Sequence, residues 1–248
     1  MGINYNHFVC IVAGDNYKEL LQPYNSANET EYRVVYELKD ATLLKDKYIE
    51  FNESLLNIDD LLDTYREDTL ERLKIAKEQT SEDFFYDFTY EYEHDEDGNA
   101  ISNKNPNAKY SSYGIGQIFS VPFILKNGKT SFTAKKSDID WDKMHNHDIE
   151  VYEAAWDMIM ADKKPETEEE HIIYDNMKNR TKYFESFGNR ETYVASNTAF
   201  WGYAFLSEDT GWIDMDTYEQ FTWMISFYDA FIKNLPDNTQ LTIIECRK

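Results

Sequence analysis

The chain has 248 residues, of which 42% are hydrophobic and 16% aromatic, so it can bury a core and general disorder is excluded. It carries 47 Asp and Glu against 25 Lys and Arg, a formal net charge of −22. This charge repels nucleic acid and membrane surfaces, so we expect neither as a direct partner. With no apolar run of about 20 residues and no signal peptide, we expect a soluble, cytoplasmic protein.

Apolar runs near the two ends of the sequence predict buried strands. His7–Ala13 (HFVCIVA) is almost continuously apolar, and Leu241–Cys246 is a second run of this kind. We expect the two strands to lie side by side in the core. Cys10 and Cys246 fall within them, and two cysteines in a chain of this length favour buried, reduced thiols over a disulfide.

A helix is predicted from Ile58 onward, where apolar positions recur at helical spacing. Carboxylates three or four residues apart follow one face of this helix and form a row of negative charge. We name them the acidic row: Asp60, Asp63, Glu67 and Glu71. The acidic row is the predicted surface for a binding partner.

The middle of the chain predicts strands and tight turns. Phe84–Tyr92 (FFYDFTYEY) has aromatic residues at period two, which favours a strand, with a helix continuing through Phe88 as the alternative. Asp97-Gly98 and Asn127-Gly128 are hairpin signals, and Tyr113–Leu125 predicts a strand between them.

The second half predicts helices around one more strand region. Helices are expected around Ile149–Ile159, from Glu168 onward and over Thr217–Asn234, and strands over Thr192–Leu206. Together these elements predict one α+β domain spanning residues 1–248. Its mixed or antiparallel sheet would hold the first and last strands in the core, packed with four or so helices.

Charge is unevenly distributed along the sequence. Residues 40–100 carry 19 acidic and six basic side chains, and residues 137–220 carry 20 and seven. Between them, residues 101–136 hold six lysines and no acidic residue, a basic hairpin region. The acidic blocks either keep the protein soluble or imitate the phosphate backbone toward a basic partner.

No motif in the sequence predicts catalysis or a cofactor. Asp138, Asp140 and Asp142 alternate as at the start of a calcium loop, but Lys143 stands where the loop needs glycine. We interpret these carboxylates as the N-terminal cap of a helix. Nucleophile motifs and glycine-rich phosphate loops are absent from the sequence, so we expect no enzyme activity, no cofactor and no metal.

Asn105–Phe119 (NPNAKYSSYGIGQIF) resembles a motif in a family of mostly uncharacterised, acidic proteins from bacteriophages and mobile elements of Gram-positive bacteria. That motif reads Asn-Pro-Asn, a small residue, Lys-Trp-Asp-Trp-Tyr, two residues, then Gly-Gly-Arg-Trp. The positions that agree are Asn105, Pro106, Asn107, Lys109, Tyr113 and Gly116. Those that differ are Tyr110, Ser111, Ser112, Gln117, Ile118 and Phe119. The resemblance implies a phage or mobile-element setting.

Two functional hypotheses and a neutral one follow. The first is an acidic anti-defence protein, such as an anti-CRISPR protein, that inhibits a host nuclease by contacting a basic host protein. The alternative is a protein that sequesters a nucleotide signal in an aromatic pocket formed by Lys109, Tyr110, Tyr113 and Phe119. The neutral hypothesis is a structural or housekeeping protein whose charge serves only solubility.

Overall fold

The computed structural model describes residues 7–57, 63–117, 120–145, 148–161, 165–168, 170–171 and 187–248. The chain divides into two compact units, where the sequence analysis expected one domain. The first, which we call the sheet unit, comprises Met1–Ser26 and Asn107–Lys248; the second, which we call the insert, is Ala27–Pro106.

The described strands and helices are numbered in chain order. The strands are β1 (His7–Ala13), β2 (Glu29–Tyr36), β3 (Glu93–His94), β4 (Ala100–Lys104), β5 (Ser112–Ile115), β6 (Phe123–Ile124), β7 (Thr130–Ser131), β8 (Thr133–Lys135), β9 (Ala204–Ser207), β10 (Gly211–Asp214) and β11 (Gln240–Arg247). The helices are α1 (Tyr17–Leu21), α2 (Ala41–Leu55), α3 (Asp63–Glu78), α4 (Ser81–Phe88), α5 (Trp141–His145), α6 (Ile149–Met160), α7 (Arg190–Thr198) and α8 (Gln220–Phe227).

A mixed sheet forms the centre of the sheet unit. Its strand order is β10-β9-β1-β11-β5, and β8 also pairs with β11. Strand β1 runs antiparallel to β11 and parallel to β9. The α+β class and the predicted pairing of the first and last strands are therefore confirmed.

Both faces of β1 and β11 are covered, which explains their nearly continuous apolar sequences. On one face Ile11 and Ile243 pack with Trp223 and Phe227 of α8. On the other face Cys10 and Cys246 belong to a second cluster of buried side chains. Both cysteines are free thiols, on neighbouring strands as expected.

The insert has a small core of its own. Strands β2, β4 and β3 form an antiparallel sheet, and α2 packs against both α3 and α4. Phe85 is fully buried in a cluster with Ala41 and Ala100. Only six of the 33 buried hydrophobic residues that the structure describes lie in the insert, so its core is small for a segment of 80 residues.

The strand predicted over Phe84–Tyr92 is wrong, because α4 occupies most of this segment. Thr80 caps the helix: its side chain accepts a hydrogen bond from the Asp83 backbone N–H at 3.1 Å. Phe84 and Phe88, four residues apart, stack along the helix with ring centroids 5.7 Å apart. The alternation that suggested a strand therefore also fits a helix, which was the alternative interpretation.

The strands predicted over Thr192–Leu206 are wrong in their first half. Asn189 caps α7 by accepting a hydrogen bond from the Thr192 N–H at 2.8 Å, and the helix continues to Thr198. The strand β9 begins only at Ala204. The segment is helical despite its β-branched and aromatic composition because α7 packs against α6 and α8.

Both predicted hairpin turns are confirmed. The Asp95 N–H bonds the Asn99 carbonyl at 3.0 Å, and the Leu125 N–H bonds the Lys129 carbonyl at 2.8 Å. The predicted cap at Asp140 is also confirmed, since its carboxylate accepts a hydrogen bond from the Lys143 N–H at 3.2 Å. Most of the helix expected from Glu168 lies outside the described residues.

Candidate functional site

The acidic row lies on and before α3. Asp60 lies outside the described residues, and Asp63 is the first residue of the helix. Glu67 and Glu71 are exposed and one turn apart, so their carboxylates share a face. Within the described residues, neither forms an ion pair with a Lys, Arg or His side chain. Both are therefore open to a partner.

Apolar side chains flank the carboxylates of α3. Leu70 is 52% exposed and lies three residues from Glu67, while Ile75 is 50% exposed and lies four residues from Glu71. The buried side chains of this helix, Thr69, Leu73 and Ala76, lie on its other side. The outer face of α3 therefore combines negative charge with apolar surface.

Hydrogen bonds and an ion pair hold α3 in the insert. Arg66 donates to the Leu56 carbonyl at 2.9 Å, beyond the end of α2. Lys77 pairs with Glu53 of α2, with 2.6 Å between Nζ and Oε1. Both contacts occupy basic side chains of α3, while Lys74, which is exposed and three residues from Glu71, shares the outer face with Glu67 and Glu71.

Most of the large, exposed hydrophobic side chains that the structure describes belong to the insert. Ten of the 16 large, exposed hydrophobic side chains among the described residues belong to it, including Phe51 at 61% and Tyr65 at 63%. It also carries 22 acidic and nine basic residues. The insert therefore combines a net negative charge with exposed apolar side chains.

A pocket of about 380 Å³ lies in the sheet unit, and two of the four residues of the predicted ligand site line it. Lys109 and Tyr110 line it together with Phe8, Tyr203 and Trp212. The Lys109 ammonium forms an ion pair with Asp214 at 2.9 Å. Trp212 donates its indole N–H to the same carboxylate at 3.0 Å. Asp214 therefore partly neutralises the lysine that was expected to bind phosphate.

The other predicted pocket residues have different positions. Tyr110 is 2% exposed and donates its hydroxyl to the Leu21 carbonyl at 3.0 Å, and burial raises its pKa. Tyr113 packs edge-on against Tyr17 and Tyr110 and does not line the pocket. Phe119 lies outside the described residues. Tyr110 therefore forms part of the pocket wall, and Tyr113 packs against Tyr110 outside the pocket lining.

Lysines of the basic hairpin region make structural contacts. Lys136 is 8% exposed and donates to the Lys233 and Leu235 carbonyls at 2.7 and 2.6 Å. Lys126 donates to the Ser137 carbonyl at 2.7 Å. With Lys109 paired to Asp214, three of the six lysines bind groups of the sheet unit itself. The region is therefore less basic toward a ligand than its sequence suggested.

Two features of this pocket were missed in the sequence. Asp214 lies 105 residues from Lys109, and Tyr203 and Trp212 lie on or next to β9 and β10. The sequence signal for this hairpin is Glu208-Asp209-Thr210-Gly211 between two apolar runs, a composition typical of a turn.

No protein family, curated protein or solved structure matches this chain. The resemblance to phage proteins therefore rests on the motif at Asn105–Phe119. Across the described ranges, no three His, Cys, Asp or Glu side chains are grouped as ligands of a metal ion. In the same residues, no helix has both the length and the apolar composition needed to cross a bilayer.

Proposed function

We propose that this protein is an acidic, phage-encoded anti-defence protein that binds a basic host protein through the insert and blocks its access to nucleic acid. The partner class is a nucleic-acid-handling defence effector, such as a CRISPR nuclease, in the cytoplasm of the bacterial host. One observation carries the proposal: on α3 the exposed carboxylates Glu67 and Glu71 lie beside the exposed apolar side chains Leu70 and Ile75.

The two kinds of side chain have different roles in such an interface. Unpaired carboxylates attract a basic surface and raise the association rate, as nucleic acid does with its phosphates. Exposed apolar side chains provide the buried area that keeps the complex together. Charge that served solubility alone would not be accompanied by so many exposed apolar side chains, since these lower solubility.

The setting comes from the sequence. The motif at Asn105–Phe119 supports a phage or mobile-element setting, and in that setting we infer that an acidic binding protein acts against a host defence system. Inhibition by contact, without catalysis, is the mechanism that an acidic and apolar surface supports. Nucleic-acid mimicry then follows from the sign of the charge, because a groove that binds phosphates also attracts carboxylates.

A pull-down with matched variants tests the proposal. Tagged protein is incubated with lysate of a Gram-positive host at low salt, and the bound proteins are identified by mass spectrometry. The test variant is Glu67→Lys/Glu71→Lys. The control is Glu208→Lys/Asp209→Lys, which makes the same charge change on an exposed turn of the sheet unit.

We expect the unmodified protein and the control to retain one basic, nucleic-acid-binding protein, and the test variant to lose it. Reversing two exposed charges turns two attractions of about 0.2–1 kcal/mol each into repulsions of similar size, a change of about 1–4 kcal/mol or roughly 4- to 1000-fold in Kd. The complex should weaken as salt rises toward 1 M, where the screening length falls to about 3 Å. Equal retention by test and control variants, or no retained protein at low salt, would refute the proposal.

Nucleotide binding at Lys109, Tyr110, Tyr113 and Phe119 stays a prediction of the sequence. It has less support than the acidic row, because Asp214 already pairs with Lys109 and adds a negative charge that repels phosphate. A thermal-shift screen of cyclic nucleotides tests it. A stabilisation that Lys109→Ala abolishes would favour this alternative.

A further inference from the structure

In the pocket of the sheet unit, a positively charged group lies against two aromatic rings. The Lys248 ammonium lies 5.3 Å from the centroid of the Tyr203 ring and 5.8 Å from that of Phe8. It is also 3.4 Å from the Tyr203 hydroxyl and 4.0 Å from the nearer carboxylate oxygen of Asp216. Two rings and a carboxylate on one ammonium form the recognition pattern of an aromatic cage.

The cage is built on neighbouring strands of the central sheet. Phe8 belongs to β1, Tyr203 immediately precedes β9, and Trp212 belongs to β10. The ring centroids of Phe8 and Tyr203 are 4.9 Å apart, and those of Phe8 and Trp212 are 6.1 Å apart. Because paired strands fix these rings, the cage exists before a ligand binds.

The carboxylates select the charge of the ligand. The Asp214 side chain is 10% exposed and already paired with Lys109, whereas that of Asp216 is 62% exposed at the mouth. The pKa of Tyr203 is raised by burial and by its hydrogen bond to Asp216. A phosphate at this mouth would meet the charge of Asp216, whereas an ammonium would be attracted to it.

We propose that Phe8, Tyr203, Trp212 and Asp216 form a binding site for an alkylammonium group, and that Lys248 occupies it in the free protein. The ligand chemistry is a primary or methylated amine on a flexible apolar stem, as in a lysine side chain or a free polyamine. Its entry requires Lys248 to leave the rings, so the lysine regulates the site by competition. The site belongs to the sheet unit, and the proposal does not depend on the acidic row of the insert.

Lys248 itself supports this ligand class. Its side chain is 52% exposed, so it has room in solvent and yet lies against two rings. An ammonium that could remain fully hydrated lowers its free energy by taking this position only if the rings and Asp216 attract it. The same contacts are then available to an ammonium from another molecule.

Titration with three probes tests the site and separates the sources of the ammonium. The probes are Nα-acetyl-lysine methylamide, its trimethylated form and spermidine, with binding followed by NMR shifts of the Trp212 indole N–H. Lys248→Ala empties the cage in the full chain. Lys129→Ala removes an equal charge from an exposed hairpin turn and serves as the control.

We expect Lys248→Ala to bind at least one probe roughly 3- to 30-fold more tightly than the unmodified protein, the range of one cation–aromatic contact. Lys129→Ala should leave the affinity unchanged. In the Lys248→Ala background, Tyr203→Leu and Asp216→Asn should each weaken binding several-fold. Preference for the two lysine derivatives points to a protein side chain, and preference for spermidine to a free polyamine.

Two results would overturn the inference. One is the absence of an indole shift in Lys248→Ala with every probe at about 10 mM, a concentration at which even weak binding is detected. The other is a shift that persists unchanged when Asp216→Asn is added. The fold of each variant is verified by its NMR spectrum, and because Asp216 is exposed, its substitution tests the site without disturbing the core.

Discussion

Lys136 offers a direct test of how the basic hairpin region is used. It lies next to Lys135, and the two residues are alike in the sequence. In the structure Lys136 is 8% exposed and Lys135 is exposed. The Lys136 ammonium donates to the Lys233 and Leu235 carbonyls, which lie just past the helical turn Tyr228–Ile232 that continues α8. Replacing each lysine by alanine removes the same charge from the protein, so the difference between the variants reports the buried contacts of Lys136, chiefly its hydrogen bonds.

The expected magnitude follows from those two bonds. A hydrogen bond from a charged donor contributes about 1.5–3 kcal/mol, and Lys136→Ala leaves two carbonyls without their ammonium donor. Asp237 adds little, because its carboxylate is 3.8 Å away and 87% exposed. We expect Lys136→Ala to lower the free energy of unfolding by about 3–5 kcal/mol and Lys135→Ala by less than about 0.5 kcal/mol.

Thermal unfolding followed by circular dichroism measures this difference. For a chain of this size, 1 kcal/mol shifts Tm by about 2–4 °C, so Lys136→Ala should unfold about 6–20 °C earlier. Lys135→Ala should unfold within about 2 °C of the unmodified protein. Equal Tm values for the two variants would show that Lys136 is not a buried anchor and would refute the reasoning.

Three further predictions concern stability. Phe85→Ala should destabilise the insert by about 3–5 kcal/mol in denaturant unfolding, because Phe85 is fully buried; a loss below about 1 kcal/mol contradicts this. Asp140→Ala should lower Tm at neutral pH, unlike Asp138→Ala. Hydrogen bonds to the Asp140 carboxylate lower its pKa, so the difference in Tm between the two variants should vanish as pH falls through that pKa. A Tm difference that persists in acid would contradict the role of Asp140 as a cap. Burial raises the pKa of the Cys10 thiol, and it raises the pKa of the Cys246 thiol to about 12. Thiol reagents at pH 8 should therefore label both cysteines only as the sheet unit unfolds. Prompt labelling of the folded protein would contradict this packing.

The central strands were predictable from the sequence because their environment is uniform. His7–Ala13 and Leu241–Cys246 are apolar at nearly every position, and only a strand covered on both faces requires that. Two turns were also predictable, because Asp-Gly and Asn-Gly pairs favour tight turns in which glycine takes a positive φ. Gly98 and Gly128 both have φ 79° in the structure.

The helices α4 and α7 were not predicted because the composition of their sequences favours strands. In Phe84–Tyr92, period two and helical spacing share every fourth position, so alternation alone cannot separate them. The deciding signal was the cap: Thr80 and Asp83 form the Ser/Thr-x-x-acid pattern that starts a helix. The corresponding cap of α7 is Asn189.

The candidate sites were predictable only where they depend on local spacing. Glu67 and Glu71 share a face because a helix places residues four apart on one side. The aromatic cage combines β1, β9 and β10, whose order in the sheet cannot be read from spacing along the chain. Lys109 was therefore predicted to bind a phosphate, because nothing local in the sequence shows that it forms an ion pair with Asp214.

The way in which the chain leaves and re-enters the sheet unit has a practical consequence. The Ser26 N–H bonds the Tyr110 carbonyl at 2.8 Å, and the Lys109 N–H bonds the Tyr24 carbonyl at 2.7 Å. The segments on either side of the insert are thus joined to each other within the sheet unit. A short glycine-serine linker can therefore join Ser26 to Asn107 in place of residues 27–106 at small entropic cost.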